Sequence, residues 1–319
     1  MNEEDQLLAE LRPVAFAIAY RMLGSVTEAE DVVQEALLRV HQAVESGEQI
    51  ASPRAFVATV TTRLAINELK SARARRESYV GAWLPEPIVT DRLTSRWVGT
   101  ASAPTRFEDP ARHAETADSL SLAMLVLLES LSPEQRAAFL LHDVFGYGYD
   151  EITRIVDTSE ANVRQLTSRA RARVREGRPR FTTSREQHAE LARRFFAAAE
   201  EGDLGGLESL LAHDVELTGD GGGKAPALAR TLRGRSRVAH TLLNWLKLRE
   251  RVPEVSLRQV EVNGGPGALF VDGDARVLAV WWLDIAGGEV VGVRSIVNPD
   301  KLAHLGEVGD IVGLLRGSR

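Results

Sequence analysis

The chain has 319 residues, 44% of them hydrophobic, with no cysteine and a formal net charge of −6. That length suits two or three domains with ordinary cores, and the lack of cysteine excludes disulfides, Cys-based zinc sites and thiol catalysis. No charged-then-apolar leader opens the sequence and no apolar run approaches the roughly 18 residues of a membrane span, so a cytoplasmic protein is expected, with no membrane, cofactor or metal.

Residues 1–79 read as a helical block. Leu7, Leu8, Leu11, Val14, Ala15, Ile18 and Met22 give a first amphipathic helix ended near Gly24, and Thr27 with Glu30 suggests a capping box for a second. In that second helix Val33, Ala36, Leu37, Val40 and Val44 form the apolar stripe. Asp31, Gln34, Glu35 and Leu38 lie directly opposite, which on periodicity alone is an ordinary solvated face. Ser52-Pro53 opens a third helix with Phe56, Val57, Val60 and Leu64 on its core side. Arg63, Asn67 and Lys70 line a neighbouring stripe that runs into Arg73, Arg75 and Arg76. Such a basic helix end suits nucleic-acid phosphates, and equally suits the negative end of a helix dipole.

Residues 80–114 read as a flexible linker rich in Pro, Gly, Ser and Thr. Within it Trp83-Leu84-Pro85-Glu86-Pro87 is either an anchor on some surface or a local hydrophobic tuck. Residues 115–183 form a second helical block. Ser132-Pro133-Glu134-Gln135 is a helix opener with Ser as N-cap, Pro at the first helical position and Gln to return the cap. A short helix follows Gly148, Asp157-Thr158-Ser159 supplies a turn, and Glu160 to Arg175 makes a last helix. There Val163, Leu166, Ala170 and Val174 face the core, whereas Arg164, Gln165, Ser168, Arg171 and Arg175 face away, with Arg169 at the margin. Arginine pairs with phosphate or guanine and glutamine with adenine, so this is a candidate helix-turn-helix reader of the major groove. The overall negative charge does not oppose that reading, because the field that matters is that of the binding face.

Residues 184–319 change character. Two short helices, His188 to Glu201 and Leu204 to Leu211, precede a strand at Val215 to Leu217. Strand-like runs follow at Val255 to Val262, Ala268 to Val271, Arg276 to Asp284 and Val290 to Val297. Helices first and strands afterwards predict an α+β domain with a curved antiparallel sheet wrapped on helices. Asp220-Gly221-Gly222-Gly223-Lys224 reads as a flexible hairpin turn or an anion-binding loop; it lacks the spacing of a phosphate-binding P-loop. Asn298-Pro299-Asp300-Lys301-Leu302 reads as a strand terminator and helix starter.

Several of these segments, in this order and separation, carry a family resemblance. Ala29-Glu30-Asp31-Val32-Val33-Gln34-Glu35-Ala36, Ser52-Pro53-Arg54-Ala55-Phe56 through Asn67, Leu131-Ser132-Pro133-Glu134-Gln135-Arg136 and Val163-Arg164-Gln165 resemble an extracytoplasmic-function sigma factor of the sigma-70 family. Together with Trp83 to Pro87, Asp220 to Lys224 and Asn298 to Leu302, they are similar to the SigJ-like class, which carries a fused SnoaL-like (NTF2-like) domain. The resemblance implies two all-α sigma domains followed by an α+β cone, and core RNA polymerase and promoter DNA as partners. It implies that Asp31, Gln34, Glu35 and Leu38 touch the clamp helices of the β′ subunit, with the β flap as a further polymerase contact. Arg63, Asn67, Lys70, Arg73, Arg75 and Arg76 would lie at the −10 element, and Arg164, Gln165, Ser168, Arg169 and Arg171 at −35. Gln165, Leu166 and Thr167 stand where the family more often has Ser, Arg and an apolar residue, which leaves the −35 sequence open. Trp83, Leu84, Pro85, Asp220, Gly221, Gly222, Gly223, Lys224, Asn298, Pro299, Asp300 and Lys301 would form a regulatory surface between linker and third domain, with a small-molecule effector in the cone as a further partner.

A rival reading is a helix-turn-helix regulator fused to a ligand-binding or isomerase-like cone, in which His213, Asp214, Asp220 or Asp284 would act as general acid or base. A plain operator-binding repressor would leave the Asp31, Gln34 and Glu35 face without a role. The expectation is therefore a sigma factor controlled in cis by its last domain, and not an enzyme.

Overall fold

Three long helices begin the chain: α1 (Glu3–Leu23), α2 (Val26–Glu45) and α3 (Pro53–Glu77). The computed structural model describes residues 3–90, 121–177, 184–251 and 255–317. Gly24, at φ +67°, turns the chain out of α1 straight into extended Ser25, whose hydroxyl accepts from Glu28 N at 3.1 Å. The cap of α2 is thus Ser25 rather than the expected Thr27, because the left-handed glycine leaves no room for a longer turn. On α2, Ala29, Val33, Ala36 and Val40 are buried as expected, but Ala43 takes the place assigned to Val44, which is exposed. On α3 the most buried row is Val57, Ala58, Thr61, Thr62, Ala65 and Ile66, with Phe56, Val60 and Leu64 half-buried. Because α3 packs against both α1 and α2, small residues occupy the closest approach and the large ones sit at its margin.

The second block contains α4 (Leu122–Leu128), α5 (Pro133–Phe139) continued by a π-helical turn (Leu140–Val144), α6 (Tyr149–Val156) and α7 (Glu160–Gly177). The capping box opens α5 as expected: Gln135 N donates to Ser132 Oγ at 3.2 Å and Ser132 N to Gln135 Oε1 at 3.0 Å. Asp157, left-handed at φ 55°, ends α6 and starts the turn into α7. Ala138, Leu141, Ile152, Ile155 and Val163 form the core of this helix-turn-helix, with Leu166 packed against it. Both helical blocks belong to one unit, Met1–Glu77 with Arg92–Arg178; Ser78–Asp91 clusters with Pro179–Arg319 in a second.

Arg136 ties the first unit together. Its side chain is 3% exposed, donates to Met22 O and Leu128 O at 2.6 Å each, and pairs with Glu129 at 2.9 Å. The carbonyls it satisfies lie at the end of α1 and of α4, where helices leave acceptors without intrahelical partners.

In the second unit α8 (Arg185–Glu201) and α9 (Leu204–Leu210) lead into β1 (Leu211–Asp220) and the short β2 (Leu232–Arg233). Then come α10 (Arg235–Arg251), β3 (Ser256–Val262), β4 (Gly265–Val271), β5 (Val277–Ala286), β6 (Glu289–Ile296), α11 (Pro299–Leu302) and α12 (Ile311–Gly317). The six-stranded sheet has the order β2-β1-β6-β5-β4-β3. It is open and mixed, which corrects the antiparallel expectation: β1 pairs with β6 in parallel, Gly219 opposite Ser295. The reason is α10, absent from the sequence reading, which carries the chain from β2 at one edge to β3 at the other. The meander β3 to β6 then returns alongside β1. Phe195 and Phe196 of α8 and Val238 and Leu242 of α10 join Trp281, Leu283 and Val293 of the sheet in one core. Among the described residues no helix is long and apolar enough to cross a membrane.

Arg136→Met removes a buried cation and leaves Glu129 and two helix-end carbonyls without their donor. It should destabilise the first unit by roughly 3–5 kcal/mol, measured by denaturant unfolding of the full chain. A loss below about 1 kcal/mol would show those carbonyls to be satisfied otherwise.

Candidate functional site

On α2 the residues expected to meet polymerase share one accessible face. Asp31 and Gln34 are exposed, Glu35 is half-buried and paired with Arg39 at 2.8 Å, and Leu38 is 48% exposed. Isolated exposed leucines are common, but this one lies among carboxylates opposite a buried stripe, so α2 has one face for its own core and one available to a partner.

The basic stripe of α3 is engaged. Arg63 donates through Nε to Ile155 O at 2.9 Å and through its terminal nitrogen to Arg154 O at 2.7 Å, capping the carbonyl end of α6. Lys70 pairs with Glu134 at 2.9 Å. Burial pushes the Glu134 carboxyl up, but hydrogen bonding to Lys70 prevails and holds it below the usual range. Asn67 is exposed. Arg73, Arg75 and Arg76 fall in the last turns of α3, and their side chains lie outside the described residues.

Along α7 the expected faces separate. Val163 and Ala170 are fully buried and Val174 nearly so, and Thr167 is buried with its hydroxyl donating to Val163 O at 2.9 Å. Gln165, Ser168 and Arg169 are exposed and make no side-chain hydrogen bond among the described residues. Arg164 is held by Glu160 at 2.6 Å and stacks over the Tyr149 ring, 4.3 Å from its centroid. Arg171 departs from the expected free face: Asp143 takes it in a bidentate pair, with Nε to Oδ2 at 2.9 Å, which raises the guanidinium's pKa further. Arg175 is exposed.

The three short motifs of linker and third domain converge on one carboxylate. Asp220, at the end of β1, is 0% exposed. One of its oxygens accepts from the Tyr79 hydroxyl and from Gly222 N at 3.2 Å. The other accepts from Leu84 N at 2.8 Å and from Lys301 Nζ at 2.8 Å. A buried carboxylate is tolerated when its acceptor sites are filled in this way. Lys301, itself buried, also donates to Leu84 O and lies over the rings of Trp83 and Tyr79, 4.2 and 5.0 Å from their centroids. Burial, followed by the bond to Asp220, pushes the Tyr79 phenol up, so it stays a donor.

The local sequence explains why these groups can meet. Asn298 caps α11, accepting from Asp300 N at 3.1 Å, and so sets Lys301 on the first turn facing Asp220. Asn298 Nδ2 also donates to the Tyr79 hydroxyl at 2.9 Å. A Cβ on Gly222 would lie 2.2 Å from Asn298 Nδ2 and 3.0 Å from the Tyr79 hydroxyl, and Gly223, at φ +73°, packs under Val80. The glycine loop is thus a turn, closed by Lys224 N to Gly221 O at 2.9 Å, whose Gly222 amide binds the carboxylate of its own Asp220 and whose glycines seat the linker. Lys224 at its end pairs with Asp300 at 2.6 Å on the surface.

Beyond Leu84 the linker stays docked. Pro85 and Pro87 are buried, His304 donates to Pro87 O at 2.7 Å, and the other ring nitrogen lies 4.0 Å from Glu86. Ile88 N donates to Asn263 Oδ1 at 2.7 Å, Asn263 N to Ile88 O at 2.8 Å, and Thr90 N to Glu261 O at 2.8 Å. The linker thereby pairs with the end of β3, an edge strand. The sequence reading missed Tyr79, Asn263 and His304. Asn263-Gly264, a hairpin dipeptide, was visible, but nothing local told that its side chain bonds outward. Of the expected flexible linker, residues 91–114 lie outside the described residues.

The residues cast as acid and base by the rival reading are scattered. His213 and Asp214 are exposed, Asp220 is consumed by the linker, and Asp284 pairs with Arg294 at 2.9 Å. Burial pushes the Asp284 carboxyl up against the pull of that arginine.

Comparison with known proteins agrees with this geometry. The family model for sigma-70 region 2 matches residues 7–75 and that for sigma-70 region 4 matches residues 121–174. The chain is 38% identical over 299 residues to the ECF RNA polymerase sigma factor SigJ of Mycobacterium tuberculosis, covering 91% of this chain and 90% of that protein. It is 32% identical to the probable ECF RNA polymerase sigma factor SigI of the same species, covering 90% and 91%. The crystal structure of M. tuberculosis SigJ superposes with a TM-score of 0.69 at 36% identity, covering 94% of this chain and 98% of that one. With helical blocks that match both sigma-70 regions and relatives similar over nearly their whole length, the chain belongs to the extracytoplasmic-function sigma factors of the sigma-70 family.

Proposed function

We propose that the protein recruits core RNA polymerase to specific promoters and that its third domain governs this by holding the interregion linker. In this reading Asp31, Gln34, Glu35 and Leu38 dock on the clamp helices of β′, the β flap is a further polymerase contact, and Arg63, Asn67, Lys70, Arg73, Arg75 and Arg76 engage the opened −10 strand. Arg164, Gln165, Ser168 and Arg169 read −35, and Arg171 positions α7 through Asp143. A further partner is a small molecule bound by the third domain. A cytoplasmic location and the absence of catalysis follow from the role.

The observation that carries the regulatory part is the convergence of Tyr79, Leu84 and Lys301 on Asp220. A linker whose backbone is bonded to a domain of its own chain is not free to thread a polymerase, so release of this clasp is a step in initiation. Lys301→Met leaves the buried carboxylate without its cation, and Tyr79→Phe removes one donor. Both should raise run-off transcription by purified core polymerase relative to the unmodified chain, Lys301→Met more strongly. Transcription unchanged in both at every promoter tested would overturn control through the clasp.

The −35 assignment is tested separately. Arg164→Ala or Arg169→Ala should weaken binding to a −35-containing duplex by about 1–3 kcal/mol for each base that the arginine reads. Unchanged affinity would remove those residues from the reading face.

Docking of the linker should also depend on pH through His304. Burial holds its pKa below the usual 6.5, although the bond to Pro87 O and the facing Glu86 act the other way. The docked state therefore favours the neutral ring: its contribution is present above about pH 6.5 and is lost as the pH falls through the histidine range. Amide exchange at Leu84 and Ile88, corrected for intrinsic rates, should rise on acidification from pH 7.5 to 5.5, and His304→Gln should flatten that rise. Exchange independent of pH in the unmodified chain would exclude His304 as the titrating group.

A further inference from the structure

The sheet and helices of the third domain line a cavity of about 270 Å³ that opens to solvent beside Pro226 and Ala227. Trp245, Phe270 and Trp281 form its aromatic wall, with ring centroids 5.9 Å apart for the two tryptophans and 4.7 Å for Phe270 and Trp281. Gly219, Ala227 and Ala279 leave the room that those rings do not fill. No ionisable side chain is among the described residues that line it, so a charged guest would lose its hydration without finding a counterion.

One group inside is out of keeping with that lining. Ser295 lies on β6 between Val293 and Val297, is 3% exposed, and faces the cavity together with its register partners Gly219 and Trp281. Its hydroxyl makes no side-chain hydrogen bond among the described residues. The residue lines the cavity, where the hydroxyl or carbonyl of a guest would give its hydroxyl a hydrogen-bond partner.

The walls of the cavity lead directly to the clasp. Gly219 precedes Asp220, and Pro226 and Ala227 follow the glycine loop that seats the linker. The N–H of Val297, another lining residue, donates to Asp220 O at 2.9 Å. A guest that pushes on Gly219, Ala227 or Val297 therefore moves the supports of the carboxylate that binds Tyr79, Leu84 and Lys301.

We infer that this cavity binds a neutral, flat, apolar molecule of one or two rings carrying one oxygen function, which Ser295 engages, and that its occupancy changes the hold on the linker. The binding stands independently; its coupling to the linker rests on the function proposed above. The probes are 2-naphthol, naphthalene and 2-naphthoate, titrated calorimetrically into the full chain. Naphthol should bind, naphthoate at least tenfold more weakly, and Ser295→Ala should reduce the preference for naphthol over naphthalene by about 3- to 10-fold, the worth of one hydrogen bond. Ala279→Phe fills the cavity and should abolish binding; should that variant not fold, Ala227→Trp obstructs the exposed rim and serves instead.

No naphthol binding up to its solubility limit, equal affinity for naphthoate, or a Ser295→Ala variant with undiminished preference would overturn the site. Coupling is read without transcription, as amide exchange at Leu84 and Ile88 with and without saturating naphthol. An altered exchange supports it, and binding with unaltered exchange refutes the coupling while leaving the site.

Discussion

The carboxylate of Asp220 is the constraint on which the second unit's arrangement depends. It is wholly buried, and burying a charge is unfavourable unless every lone pair is used. Here the four donors come from three stretches of the sequence: the Tyr79 hydroxyl just before the linker with the Leu84 amide within it, the amide of a glycine loop, and a lysine after the last strand. None of these segments offers a hydrophobic core of its own. They are held because losing Lys301 leaves the interior charge without its cation and losing any other donor leaves an acceptor site of the carboxylate unfilled, which makes the docking of the linker specific as well as stable.

In the first unit the buried Arg136 and the paired surface cations contribute differently. Arg136 is enclosed and bonded to helix-end carbonyls, so it acts as structure. Arg164 and Lys70 are more than half exposed and paired with Glu160 and Glu134. Exposed pairs of that kind are worth about 0–1 kcal/mol each. In a chain with net charge −6 the exposed basic side chains of α7 are a local feature and create no globally attractive field for nucleic acid.

Parallel pairing of β1 with β6 links the cavity to the clasp. Gly219 and Ser295 face each other across that ladder inside the cavity, and Asp220 and Val297 follow at the same end of the sheet, where the linker sits. Two features with different chemistry, one apolar and one ionic, thereby share the same few residues of backbone.

Much of this was legible from sequence. The helices of both sigma regions, the Ser132 capping box, the faces of α7 and the α+β character of the last domain follow from periodicity and cap chemistry, which act within a few residues of chain. The tertiary structure alone decided the rest. Val44 emerges and Ala43 is buried because packing selects the arc of a helix that faces its neighbours. The sheet is mixed because α10 crosses from one edge to the other, a matter of connection and not of strand pattern. Arg63, polar and periodic in sequence, caps α6 some 91 or 92 residues away. Asp220-Gly221-Gly222-Gly223-Lys224, locally a turn, is glycine-rich because Tyr79 and Asn298 occupy the space a side chain would take. Short-range steric and hydrogen-bond preferences are written in neighbouring residues; the partner of a buried charge is chosen by the fold, from anywhere in the chain.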